Sequence, residues 1–140
     1  MPRKRDYEDI RVGDWASASR TITAADVQAF AALTGDFNPI HVDEEFAKCT
    51  RWGGCIAHGM LVAGLVTQTL SELGGEGAVH TSQEVSFRAP VRIGDTVTVT
   101  SEVTGKVEEK RRLLIASTWT NQDGETVITG KGELLLPRDR

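Results

Sequence analysis

In the stretch GDFNPIH, residues 35–41, a carboxylate and an imidazole stand five residues apart on a segment that cannot be one continuous helix. Asp36 and His41 carry the two kinds of side chain most used for proton transfer near neutral pH. Gly35 is placed to stop a preceding helix, and Asn38-Pro39 forces an extended turn, because proline fixes its own φ and drives its predecessor out of the helical region. His41 is therefore expected on rigid, non-helical backbone between two helix ends. Gly-Asp and Asn-Pro are also ordinary turn dipeptides, so the residues alone leave a second reading open. In it Asp36 makes an Asx-turn and His41 packs as a satisfied loop histidine.

A second stretch, GGCIAHGML at residues 53–61, opens an apolar segment. A glycine in the first turn of a helix presents an amide without an intrahelical acceptor and no side chain to block approach, so Gly59 can bind an oxyanion. The alternative is that Gly59 only permits close packing while His58 caps the helix. An acid–base loop beside an oxyanion site makes a catalytic pair.

The elements that position these stretches follow from punctuation and periodicity. Residues 15–22 read as a first strand. Thr23-Ala24-Ala25-Asp26 has the form of a capping box, and Val27, Phe30 and Ala31 mark the buried stripe of the helix it starts. Asp43 is placed to cap a short helix through Phe46. A second helix is predicted over residues 58–73, closed by Gly74-Gly75, with its apolar first half (residues 60–66) buried on every face. Residues 79–89, 96–104, 112–120 and 127–136 read as strands, with Pro90, Gly94-Asp95, Gly105 and residues 121–124 as turns. Val97, Val99 and Val103 alternate with Thr96, Thr98 and Thr100, giving one buried and one wet face. RVGD (11–14) and RIGD (92–95) read as one turn motif used twice. The order describes an α+β architecture, an antiparallel sheet wrapped around one long buried central helix, and an open sheet edge where a second copy can dock.

Composition narrows the function classes. A chain of 140 residues is one domain, 1–140. A net charge of −4, with both signs interspersed, offers no basic face for nucleic acid. The basic start, Pro2-Arg3-Lys4-Arg5, is not followed by a signal-peptide apolar stretch. No segment reaches the roughly 20 apolar residues of a membrane span. Cys49 and Cys55 suggest no disulfide framework. The expectation is a reduced, cytoplasmic protein with no membrane or nucleic-acid partner.

GDFNPIH followed by GGCIAHGMLVAGL strongly resembles the MaoC-like, or (R)-specific, enoyl-CoA hydratases of the hot-dog fold. Their hallmark is a D-x-N-P-x-H loop followed by a hydrophobic helix opening in H-G-M. The likeness extends to the strand order and to FRAPVRIGD at residues 87–95. It implies that Asp36 activates a water toward C3 of a trans-2-enoyl thioester, while His41 orients that water and helps deliver a proton to C2. It further implies that the Gly59 amide stabilises the enolate-like thioester oxygen, and that syn addition follows from one water on one face. Asn38 and Thr67 would support the loop, although Thr67 stands where the family carries a small hydroxyl residue and is larger by a methyl. No cofactor is implied. The partners would be an acyl-CoA or acyl-carrier-protein thioester and a second copy in a homodimer or higher homo-oligomer. Arg88, Arg92 and the run Lys110-Arg111-Arg112 are candidates for the CoA phosphates, and Trp52 for lining an acyl tunnel.

The rivals are weaker. A zinc site built from Asp36, His41, Cys49, Cys55 and His58 lacks any ligand-spacing signature, so no metal is expected. Cys49 and Cys55 read as packing residues and His80 as a surface strand residue. An acyl-CoA thioesterase on the same fold does not need the D-x-N-P-x-H loop, and a (R)-3-hydroxyacyl-carrier-protein dehydratase differs only in the carrier. A non-catalytic acyl-CoA-binding module fits poorly with Asp36, His41 and Gly59 all present.

Overall fold

The computed structural model describes residues 5–138. Five antiparallel strands form one sheet in the order β1-β3-β4-β5-β2, with β1 Trp15–Thr21, β2 Val79–Phe87, β3 Thr96–Val107, β4 Arg112–Thr120 and β5 Thr126–Leu135. Each of β1 and β2 has one paired neighbour, β3 and β5 respectively, so both are sheet edges. The helices are α1 Ala24–Thr34, α2 Pro39–Val42, α3 Glu44–Lys48, α4 Gly59–Ala63 and α5 Val66–Gly74.

The two RxGD stretches make the same turn. Asp14 and Asp95 each accept a hydrogen bond from the backbone amide three residues earlier, at 3.0 and 2.9 Å. Gly13 and Gly94 take φ of 99° and 97°, backbone that a Cβ would strain. The first turn leads into β1 and the second into β3, and these two strands pair.

Helix α1 begins with the capping box. The Thr23 hydroxyl accepts from the Asp26 amide at 3.1 Å, and the Asp26 carboxylate accepts from the Thr23 amide at 3.0 Å. It ends at Gly35 in the left-handed conformation, φ 80°.

The central helix departs from the uninterrupted rod over residues 58–73. It is split into α4 and α5 by Gly64 and Leu65, which keep right-handed angles but tighten to three-residue hydrogen bonds, Leu65 to Val62 and Thr67 to Gly64. The cause is local: the Thr67 hydroxyl also donates to the Gly64 carbonyl at 2.9 Å, competing for the acceptor that a regular turn would use. Nor is the first half buried all round, since Met60 is 62% exposed. The buried stripe is Val62, Val66, Thr69, Leu70 and Leu73, which packs on Val97, Val99, Val103, Ile115 and Trp119 of the sheet. Leu70 and Leu73 are each 3% exposed or less, so each contributes about 1.5–3 kcal/mol of burial. Trp119 ties the layers by donating its indole N–H to the Val62 carbonyl at 3.0 Å. Ser101, on the inward face of β3, bonds Thr69 of α5 and Ser117 of β4, each at 2.7 Å, so this polar trio is satisfied inside the core.

Candidate active site

Asp36 lies just beyond Gly35 and is held at three points. Its amide donates to the Thr34 hydroxyl at 3.3 Å, its carbonyl faces His58 Nε2 at 3.0 Å, and its Oδ1 accepts from the Asn38 amide at 3.1 Å. The last bond is the Asx-turn of the second reading, and it does not use up the carboxylate. Oδ2 remains, directed toward two imidazoles, with His41 Nε2 and His58 Nε2 each 3.9 Å away.

His41 corrects the expectation of non-helical backbone. It sits in the one-turn helix α2, which Asn38 caps by accepting from the Ile40 amide at 3.2 Å. Proline disfavours the helical region for Asn38 but is itself well suited to the first helical position, so Asn38-Pro39 starts a turn of helix instead of preventing one. The His41 side chain is 13% exposed. Its Nδ1 lies 2.7 Å from the Ile56 carbonyl, which can only accept, so Nδ1 carries the proton and Nε2 is left to face Asp36.

His58 is the residue that sequence reasoning read only as a helix cap or a member of a rejected zinc set. It occupies the N-cap position of α4, but its side chain makes no cap bond. Instead the ring is buried, stacks on His41 with centroids 3.9 Å apart, and leans on Phe30 at 4.8 Å. The signal was its place immediately before Gly59; its target, 22 residues away, was not legible. Asp36, His41 and His58 bring three potential ligand atoms within 4.8 Å of one another. Because the Asp36 carbonyl accepts a hydrogen bond from His58 Nε2–H, chelation through that atom would break the bond holding the loop.

Gly59 is the first residue of α4, where an amide has no intrahelical acceptor. It borders an apolar pocket of about 280 Å³ lined by His41, Ile56, Met60, Phe87 and Val91 among others. A Cβ on Gly59 would come within 2.7 Å of the Phe87 ring. His41 and Gly59 thus share one largely apolar cleft, while Asp36, next to His41, is not among the residues that line it.

Other expected site residues are dispersed. Thr67 is exposed, its hydroxyl is spent on Gly64, and it lines a separate small recess with Leu70 and His80. Arg88, beside Phe87, is exposed and its Nε bonds Thr129 at 3.3 Å. Arg92 is exposed, and its guanidinium is engaged, donating to the Trp52 carbonyl. In the run 110–112, Arg111 pairs with Glu8 at 2.9 Å and Arg112 with Glu133 at 3.0 Å. Trp52 is half-buried beneath the Arg51 guanidinium, 4.2 Å from its ring centre, and is not among the residues of the pocket beside His41. His80 is an exposed strand residue bonded to Gln83. Burial, with Glu44 nearby, pushes the Cys55 thiol up to about 11, so it holds little thiolate at neutral pH and suits packing.

Among the described residues no helix is long and apolar enough to cross a membrane. A family model for the MaoC like domain matches residues 14–123. The chain belongs to the MaoC-like domain family. This MaoC-like chain is similar to the (R)-specific enoyl-CoA hydratase of Rhodospirillum rubrum, at 45% identity over 132 residues, 94% of this chain and 91% of that protein. It is similar also to the 3-hydroxybutyryl-CoA dehydratase of Methylorubrum extorquens, at 44% identity, with 94% and 84% of the two chains covered. The solved structure of the Aeromonas caviae (R)-hydratase involved in PHA biosynthesis matches with a TM-score of 0.90 at 40% identity, covering 93% of this chain and 99% of that one. The fold is the hot-dog fold of these hydratases.

Proposed function

We propose that this MaoC-like protein catalyses the (R)-specific hydration of trans-2-enoyl-CoA to (R)-3-hydroxyacyl-CoA, and the reverse dehydration. The observation that carries the reading is the 3.9 Å gap between Asp36 Oδ2 and His41 Nε2, with His41 also lining an apolar pocket. That gap is too long for a direct hydrogen bond and short enough for one water oxygen to meet both atoms.

In the forward direction that water gives one proton to the pair, with Asp36 as the base, and its oxygen forms the bond to C3. The C2–C3 π electrons move toward the thioester carbonyl, whose oxygen gains charge beside the Gly59 amide. A proton then returns to C2 with help from His41, so one water is added and nothing else is consumed. Dehydration runs the same steps backwards: C2 loses a proton and the C3 hydroxyl leaves as water. Asn38 supports the geometry twice, through its amide on Asp36 Oδ1 and its side chain at the start of α2.

The thioester sits, in this reading, at a homodimer junction formed through β2. That edge strand carries exposed Val79 and Phe87 at its two ends, and Phe87 is also a wall of the pocket. Arg88 is the best placed of the candidate cations for a CoA phosphate, being exposed next to Phe87. The two unpaired cysteines fit a cytoplasmic setting.

The test follows loss of the conjugated enoyl thioester across acyl lengths, alongside a thiol reagent. Loss of conjugation without release of free CoA supports hydration. Free CoA released with the double bond intact would identify a thioesterase, and neither change would identify a binding module.

A further inference from the structure

We infer that His58 is the positioning residue of the acid–base pair, holding Asp36 in place through its main-chain carbonyl; this rests on the hydratase reading above. The ring is 3% exposed, sandwiched between Phe30 and His41, yet its Nδ1 is buried with no hydrogen-bond partner among the described residues. A buried polar atom without a partner costs stability, and an apolar side chain would occupy a hydrophobic sandwich without that cost. What the imidazole adds, and an apolar side chain cannot, is the 3.0 Å bond from Nε2–H to the Asp36 carbonyl.

That bond acts where the loop most needs it. Gly35 and Asp36 follow a helix stop, and Asp36 itself is exposed, its side chain at 49%. The Thr34 hydroxyl and the Asn38 amide restrain its two sides from within the loop, whereas His58 reaches it from the N-cap of α4, directly before Gly59. One residue therefore fixes the distance between the proton-transfer group and the backbone donor on the pocket wall. The same ring stacks on His41 and limits its tilt, so both members of the pair are referenced to one side chain.

The decisive comparison is His58→Gln against His58→Met. Glutamine places an N–H near the position of Nε2; methionine matches its length and fills the same space without a donor. Methionine should lower kcat about 10- to 10²-fold, the scale of a misplacement near 1 Å, while KM for the enoyl thioester stays within about 3-fold. Glutamine should recover most of kcat. Equal kcat for the two variants, whether both near wild type or both impaired, would overturn the inference, as would a loss confined to KM. Should the methionine variant not fold, the wild-type protein still decides: ¹⁵N shifts of the histidine rings must show the His58 proton on Nε2 and the His41 proton on Nδ1, and a His58 proton on Nδ1 instead overturns it. Wild-type turnover, measured in the same series, tests the hydratase reading separately from the role of His58.

Discussion

Asp36 Oδ2 and His41 Nε2 face each other across 3.9 Å, each fixed by a hydrogen bond on its far side, Asp36 Oδ1 to the Asn38 amide and His41 Nδ1 to the Ile56 carbonyl. Oδ2 and Nε2 are thereby left for a third molecule, the reacting water in the proposed mechanism. Asp36→Asn preserves the shape and the Asx-turn but removes the base, and should lower kcat by at least about 10²-fold with the fold intact. Steady-state kinetics with circular dichroism checks this, and near-normal turnover would remove Asp36 from the mechanism.

Gly59→Val acts through the pocket wall. The new Cβ would collide with the Phe87 ring, so Phe87, which is half exposed, must swing away from its place beside His41. Because the glycine is at a helix start and does not use positive φ, the variant should fold. Turnover should fall by about 10²-fold or more, comparable with losing one oxyanion donor. A folded, fully active valine variant would place the donor elsewhere.

Dimerisation through β2 predicts that activity and assembly fail together. Dilution that dissociates the dimer should remove activity in proportion, because Phe87 belongs both to the exposed edge and to the pocket. Sedimentation at assay concentrations reads this directly, and a fully active monomer would refute the shared junction.

The cap of α1 predicts a response to acid. The Arg20 guanidinium, 2.6 Å away, and then the Thr23 amide hold the Asp26 carboxyl below the usual carboxylate range. A depressed folded pKa gives stability that is present above the unfolded value, near 3.9, and is lost as pH falls through the folded one. Asp26→Asn should therefore be less stable than wild type at neutral pH, with the gap closing below about pH 4. Thr23→Ala, which removes the other half of the box, should cost about 0.5–2 kcal/mol by urea denaturation.

The features legible in the sequence were those whose partners are close in the chain. The Thr23–Asp26 box, the Gly35 stop, the Asp43 cap and the paired RxGD turns each need only three or four residues to define them. Features set by distant partners were not legible. Ser101 interrupts a valine alternation and points inward because Thr69 and Ser117, 32 and 16 residues away, complete its hydrogen bonds. Gly64 and Leu65 break the central helix without proline or positive φ, through a threonine hydroxyl competing for one carbonyl. His58 looked like a cap because position suggests it, and only the fold brings the Asp36 carbonyl to its ring.

In the proposed reaction Asp36 and His41 deliver one water to one face of the substrate. Hydrating a trans-2-enoyl-CoA in D₂O and determining the configuration at C2 and C3 of the product tests that claim. The predicted product has the (R) configuration at C3, with the new hydroxyl and a single deuterium at C2 added to the same face. An (S) product, anti addition, or a mixture at C2 from a first turnover would contradict it.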